Sequence, residues 1–232
     1  MRTLRGMVLG VAVVALSGIA PTQAAGADLV ATAQVNLLAL LAPPPGPWDP
    51  RTRRELDELR QIQQRRTPAR VAVAQADGEE TVFRLTLVFQ KSLTAAQVPQ
   101  AAALFHQLAV EAGRVTVPAK QGFVRPRPYT VARDLHPVCP LAPNPSYPSG
   151  HATAGYYMGV ILAVMVPEQR AAIFARTEAF AESRLICGVH YRSDIEAGRI
   201  AGTVLAALAM TDPSFTGAFA AAKAELRAAL GL

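Results

Sequence analysis

The chain has 232 residues, 51% of them apolar and 17% charged, a balance that excludes a disordered polypeptide and is enough for one sizeable core. Its formal charge of +6 is a mild excess, and no lysine/arginine tract interleaved with aromatics points to nucleic-acid binding. Aromatics make up 6%, while Ala and Leu abound, which favours helix over sheet.

Residues 1–24 have the pattern of an export signal. Arg2 and Arg5 supply the positive end, Met7 to Ile19 the apolar stretch, and Thr22-Gln23-Ala24 a site for cleavage, with Ala25 and Ala27 as alternatives. The rival reading is an uncleaved membrane anchor, although the run is short of the roughly 20 residues a span requires. Residues 25–50 read as an extended N-terminal segment. It has an apolar patch from Val35 to Leu41, then Pro43-Pro44-Pro45-Gly46-Pro47 as a surface strap, with Trp48 as a pin to the body.

Residues 51–232 read as a helical domain. Arg51 to Arg66 carries Leu56, Leu59 and Ile62 at helical spacing, and Thr67-Pro68 looks like a cap followed by proline at the first helical position. Gly78 ends that next helix or opens another through Val82, Phe83, Leu85 and Val88. Thr94 to Ala112 reads as a helix capped by Thr94, kinked or delayed by Pro99 and closed by Gly113. From 114 to 148 eight prolines imply a mostly irregular, functional segment crossing one end of a bundle. Helices resume at Ser149, with breaks near Pro167, Gly188 and Asp212. Tyr156 to Val166 and Ile200 to Met210 are apolar but bounded by polar residues, as in core helices, so stable membrane insertion after signal cleavage is not expected. The expected fold is an all-α, single-domain helical bundle.

Three clusters carry chemistry. Lys120 precedes Arg127-Pro128 by six residues; Pro148-Ser149-Gly150-His151 stands before an apolar stretch; Ser183-Arg184 is followed by His190 and Asp194. Ser149 can cap a helix whose free N–H groups favour an anion. His190 and Asp194 lie four apart, so a carboxylate can fix one imidazole nitrogen and leave the other free to attack. Arg184, Arg127 and Lys120 can surround the spread charge of a phosphoryl group. His106 sits in an expected helix and His136 before a proline, and neither is assigned a direct role.

The three clusters resemble the signature of the type 2 phosphatidic acid phosphatase superfamily, which includes bacterial class A non-specific acid phosphatases and vanadium haloperoxidases. That pattern is Lys, six residues, Arg-Pro; Pro-Ser-Gly-His; Ser-Arg, five residues, His, three residues, Asp. This chain has it without departure between Lys120 and Asp194. The stretches Tyr147 to His151 and Ser183 to His190 are most similar to the class A secreted enzymes. The resemblance implies the helical fold of that superfamily and a periplasmic or secreted acid phosphatase acting on small phosphate monoesters. It further implies His190 as nucleophile, Asp194 as its orienting carboxylate and His151 as general acid and base. Lys120, Arg127, Ser149, Gly150 and Arg184 would form the phosphate cradle. No cofactor or metal is implied, and the sequence has no paired-Cys zinc spacing, His-Glu-x-x-His or phosphate-binding glycine loop. A vanadate-dependent haloperoxidase and a non-catalytic phosphate-binding protein are the alternatives.

Cys139 and Cys187 permit a disulfide in an exported chain, closing a loop of about 49 residues worth about 4 kcal/mol, with two buried thiols as the alternative. A bridge would tie the loop of His190 to that of His151. The helical surface leaves homodimerisation open.

Overall fold

The computed structural model describes residues 35–232. The signal-peptide reading of residues 1–24 and the first part of the 25–50 segment lie outside them. Among the described residues there are nine α-helices and no strand: α1 (Leu37–Leu40), α2 (Pro50–Arg65), α3 (Pro68–Ala76), α4 (Pro99–Phe123), α5 (Pro128–Val131), α6 (Gly150–Met165), α7 (Arg170–Ile186), α8 (Arg192–Ala209) and α9 (Pro213–Leu230). The all-α expectation holds. No single helix among the described residues is long and apolar enough to cross a membrane.

The centre of the bundle is α6, packed against α8, α7 and α4. It is apolar on every side and buried almost throughout, with Tyr157, Met158, Ile161, Leu162 and Met165 sealed from solvent. A helix without a polar face needs neighbours all round. The closest approach is to α8. A Cβ at Gly198 would lie 2.7 Å from both the Ala152 Cβ and the Ser149 carbonyl oxygen, and one at Gly202 would lie 2.8 Å from the Tyr157 nitrogen. The glycines let α8 press onto the first turns of α6, the end that carries the Ser149-Gly150-His151 motif.

Local signals place several helix starts as expected. Thr67 accepts from the Arg70 N–H at 3.3 Å, with Pro68 at the first helical position of α3. Ser149 accepts from the Ala152 N–H at 3.2 Å and opens α6. Breaks fall near Pro167, Gly188 and Asp212.

Other expectations are corrected. Gly113 does not end α4; the helix continues through Gly113 and Pro118 to Phe123. Leu104, Phe105, Leu108, Ala112, Val115 and Ala119 form one buried stripe along it, and burial of that stripe outweighs the roughly 1 kcal/mol cost of an internal glycine. The irregular segment is therefore shorter than the prolines suggested, and Lys120 stands on a helix. Thr94 does not cap α4 either. Its hydroxyl bonds the Gln97 side chain, and the helix starts at Pro99 without a side-chain cap. Val82 to Val88 forms two 3₁₀ turns rather than an α-helix. Trp48 pins nothing: it is 87% exposed. The N-terminal segment is held by the buried Leu37 and Leu41, and by Leu38 packed over Gly122 of α4.

Gly202→Ala should lower the free energy of unfolding by about 1–3 kcal/mol, because the added methyl overpacks the α6–α8 contact even though Ala is the better helix former. Urea titration of the variant against wild type measures this, and unchanged stability would contradict the tight contact.

Candidate active site

The three sequence clusters converge at one end of the bundle. Their residues line a cavity of about 500 Å³ that includes Lys120, Arg127, Gly150, His151, Arg184 and His190. Lys120 comes from the last turn of α4, Arg127 from the residue before α5, Gly150 and His151 from the first turn of α6, and Arg184 from the last turn of α7. His190 follows Gly188, whose φ of 74° turns the chain between α7 and α8. Two predicted members stand apart from the lining. Asp194 lies behind His190 with no exposed surface, and Ser149 is sealed beneath the first turn of α6 as its cap.

The His190 ring is held at both nitrogens. Its Nδ1 is 3.0 Å from Asp194 Oδ2, and its Nε2 is 2.9 Å from an Arg127 guanidinium nitrogen. Arginine only donates, so Nε2 is the acceptor and the ring proton sits on Nδ1, donated to Asp194. The nitrogen that keeps a lone pair is thus the one beside the cationic groups of the cavity. Burial holds His190 well below the usual histidine range, and Arg127 and Lys120 push the same way against Asp194. The ring is neutral far into the acid range. The Asp194 carboxylate is kept below the ordinary value despite its burial, because His190, Arg125 and Ser146 all favour its charge.

His151 is placed differently. Its ring stacks on Phe180 with centroids 4.1 Å apart, and its Nδ1 lies 3.3 Å from Glu80 Oε1. Its Nε2 is buried without a hydrogen-bond partner. Burial lowers its pKa, with Glu80 opposing.

Three cations close the cavity floor. Lys120 donates to the Pro145 carbonyl at 2.9 Å, Arg127 to the Asn144 and Val189 carbonyls at 3.0 and 2.9 Å, and Arg184 to the Ala74 carbonyl. None of the three forms an ion pair with a carboxylate among the described residues. Burial depresses all three, and pulls Lys120 down to about 7 with Arg127 adding to the effect. Buried positive charge without a counter-ion is costly unless an anion arrives to share the space. The Arg184 Nε is likewise buried and unpartnered. The arrangement has the charge and donor set to hold a tetrahedral anion beside a neutral imidazole nitrogen that keeps its lone pair. Among the described residues no three His, Cys, Asp or Glu side chains converge as metal ligands.

Several contributing residues escaped sequence reasoning. Arg125 is buried and donates to Asp194 Oδ1 at 2.6 Å, to the Ser193 hydroxyl at 2.7 Å and to Glu55 Oε2 at 3.0 Å, with its guanidinium 3.8 Å above the Tyr191 ring. Ser146 donates to Asp194 Oδ2, and Asn144 accepts from Arg127 at 2.6 Å. Ser183 of the third cluster donates to the buried Asp77 at 2.7 Å, which Arg84 and Arg176 also hold. Arg125 was visible beside Arg127 in the Arg-Pro-Arg-Pro run, but nothing local ties it to Glu55. His106 and His136 are exposed and away from the cavity.

Cys139 and Cys187 are joined in a disulfide, and the Val138 N–H donates to the Cys187 carbonyl at 3.1 Å beside it. The bridge fastens the loop that leads to Asn144 and Ser146 onto the turn between Arg184 and His190.

A model of the PAP2 superfamily matches residues 100–217. This chain belongs to the PAP2 superfamily. The non-specific acid phosphatase of Salmonella typhimurium is 30% identical over 203 residues, covering 83% of this chain and 80% of its own length. The acid phosphatase of Zymomonas mobilis is 31% identical over 205 residues, covering 83% and 76%. Among solved structures, a bacterial vanadium-dependent iodoperoxidase matches with a TM-score of 0.55 at 18% identity, and so shares the fold; the match covers 74% of this chain and about half, 52%, of that one. The PAP2 match runs from α4 into α9 and takes in every residue from Lys120 to Asp194. Glu55, Gln75, Asp77, Glu79 and Glu80 lie before it.

Arg125→Met should cost about 3–5 kcal/mol of stability, since it leaves Asp194 buried without its arginine and Glu55 with Arg51 as its remaining cation. Chemical unfolding of the variant measures the loss; a drop under 1 kcal/mol would mean the buried cluster relaxes without it.

Proposed function

We propose that this PAP2 protein hydrolyses phosphate monoesters through a phosphohistidine on His190. The observation that carries this reading is the His190 Nε2 lone pair, backed by Asp194 and facing three buried cations that lack a carboxylate partner. The similarity to acid phosphatases over more than four-fifths of the chain supports the same activity.

The phosphoryl oxygens bind among Lys120, Arg127, Arg184 and the free N–H groups at the start of α6. His190 Nε2 attacks phosphorus, the N–P bond forms and the bond to the ester oxygen breaks. Asp194 stabilises the positive charge that develops on the ring. His151, protonated, gives the proton on its Nε2 to the departing alkoxide and is left neutral. A water then yields a proton to His151 and its oxygen attacks phosphorus. The N–P bond breaks, releasing phosphate and restoring neutral His190 and protonated His151. Ser149 contributes by holding the amides of the first turn in place rather than by touching phosphate, which departs from the role that the motif implied for its hydroxyl.

The protonation requirements favour acid conditions. His190 must be neutral, and its lowered pKa keeps it so at acid pH. Lys120 must be charged and His151 protonated, and both states are lost as pH rises. We also propose that the protein works outside the cytoplasm, in the periplasm or secreted. The pattern of residues 1–24 and the Cys139–Cys187 bridge support this.

Hydrolysis of p-nitrophenyl phosphate from pH 4 to 8 in EDTA, with and without vanadate, tests the reading. Turnover should survive EDTA, be blocked by vanadate and fall by about 10³-fold or more in His190→Ala; undiminished turnover in that variant would overturn the phosphohistidine. In a separate series kcat/KM should fall as pH rises through the lowered His151 range, below the usual histidine value, before Lys120 loses its charge near about 7. Lys120→Arg, which keeps its charge, should leave that limb in place, and a limb that moved upward would assign it to Lys120 instead.

A further inference from the structure

The cavity carries opposite charge at its two ends. Its floor is the buried trio Lys120, Arg127 and Arg184, whereas the turn that follows α3 brings Glu79 and Glu80 to its lining. The Glu80 side chain is 40% exposed, with Oε1 3.3 Å from His151 Nδ1. The opposite nitrogen of that ring is the unpartnered Nε2, which faces the ester oxygen in the reaction proposed above. The alcohol half of a bound ester therefore begins about one imidazole width from a carboxylate. Glu80 feels Lys120 and Arg184 of the floor, the cations that a bound phosphate would occupy, and Val117, Pro140 and Ala142 in the same lining add no further cation.

With the phosphate held at the floor, a second negative charge on the alcohol would stand against these carboxylates and be repelled. A positive charge would complete a pair. At separations of this kind, near a protein surface, one charge–charge contact is worth about a tenfold change in an equilibrium. The floor fits any phosphate group; the rim alone reads what is attached to it. The rim lies before the stretch that matches the PAP2 model.

We infer that the cavity selects phosphate monoesters of amino alcohols, whose leaving group is cationic, over monoesters whose alcohol carries a second anion, with Glu79 and Glu80 as the specificity-determining residues. This rests on the phosphatase reading of the same site.

The test compares kcat/KM at pH 6 for phosphoethanolamine, glycerol 2-phosphate and 3-phosphoglycerate in wild type, Glu79→Gln and Glu80→Gln. Wild type should favour the cationic over the anionic ester by roughly tenfold or more. Each variant should narrow that ratio several-fold after division by its own rate with the neutral glycerol ester. Glu79→Gln makes the cleaner test, because Glu80 also touches His151. A uniform fall with all three esters in Glu80→Gln, together with an unchanged ratio in Glu79→Gln, would overturn the selection and leave Glu80 only a partner of His151. A wild-type preference for the anionic ester would overturn it as well. Failure of wild type to hydrolyse glycerol 2-phosphate and p-nitrophenyl phosphate alike would instead defeat the phosphatase reading itself.

Discussion

Asp194 carries its negative charge with no exposed surface, and four donors hold it there: the His190 ring, the Ser146 hydroxyl, the Tyr191 amide and the Arg125 guanidinium. A buried carboxylate is tolerable only when its lone pairs are filled by good donors. The donors come from three parts of the chain, so the carboxylate acts as the point where the loop before α6, the segment before α5 and the turn into α8 are registered against one another. Glu55 of α2 joins through Arg125 and by accepting from the Ser193 amide at 3.0 Å, and so brings the N-terminal helix into the same cluster. The orientation of the His190 ring follows from this cluster rather than from its own turn.

The consequence for the cavity is a division of labour between two kinds of buried charge. Around Asp194 opposite charges meet and compensate. On the other side of the His190 ring Lys120, Arg127 and Arg184 have carbonyl acceptors and, for Arg127, the His190 Nε2, but no carboxylate partner. Clustered buried cations carry a desolvation cost that an anion among them would offset. The cations are held by rigid elements: the end of α4, the start of α5 and the end of α7. The bridge between Cys139 and Cys187 fixes the irregular segment that closes over them.

His151 and His190 illustrate how environment separates two identical side chains. One has a buried, fully bonded carboxylate on Nδ1 and an arginine on Nε2, and is held neutral. The other has a half-exposed glutamate on Nδ1 and a buried Nε2 without a hydrogen-bond partner. Glu80 comes from a turn with no helical pattern, outside all three motifs, and nothing in its neighbours along the chain marks it as a partner for a histidine seventy-one positions later.

Composition pointed to the helical class and cap residues to the starts of α3 and α6, and the motif intervals carried the family resemblance that named the eight signature residues, because caps, prolines and motif intervals act over a few positions and owe little to the rest of the chain. Where local signals competed with burial they misled. Gly113 read as the end of α4 and Pro118 as the first proline of an irregular segment, yet the stripe from Leu104 to Ala119 carries the helix across both and puts Lys120 on a rigid support. Trp48 read as a pin and faces solvent, because a side chain is buried only if something packs over it. The same limit hid Arg125, Glu55, Ser146 and Glu80, whose importance lies in contacts across 44 to 70 positions or more. The motifs thus named the groups that gather at the cavity, because their kinds and intervals are local properties of the sequence. Only the folded bundle decided how those groups are charged, what each histidine nitrogen meets and which side chains join them in the lining, since charge state and access depend on neighbours that distance in sequence conceals.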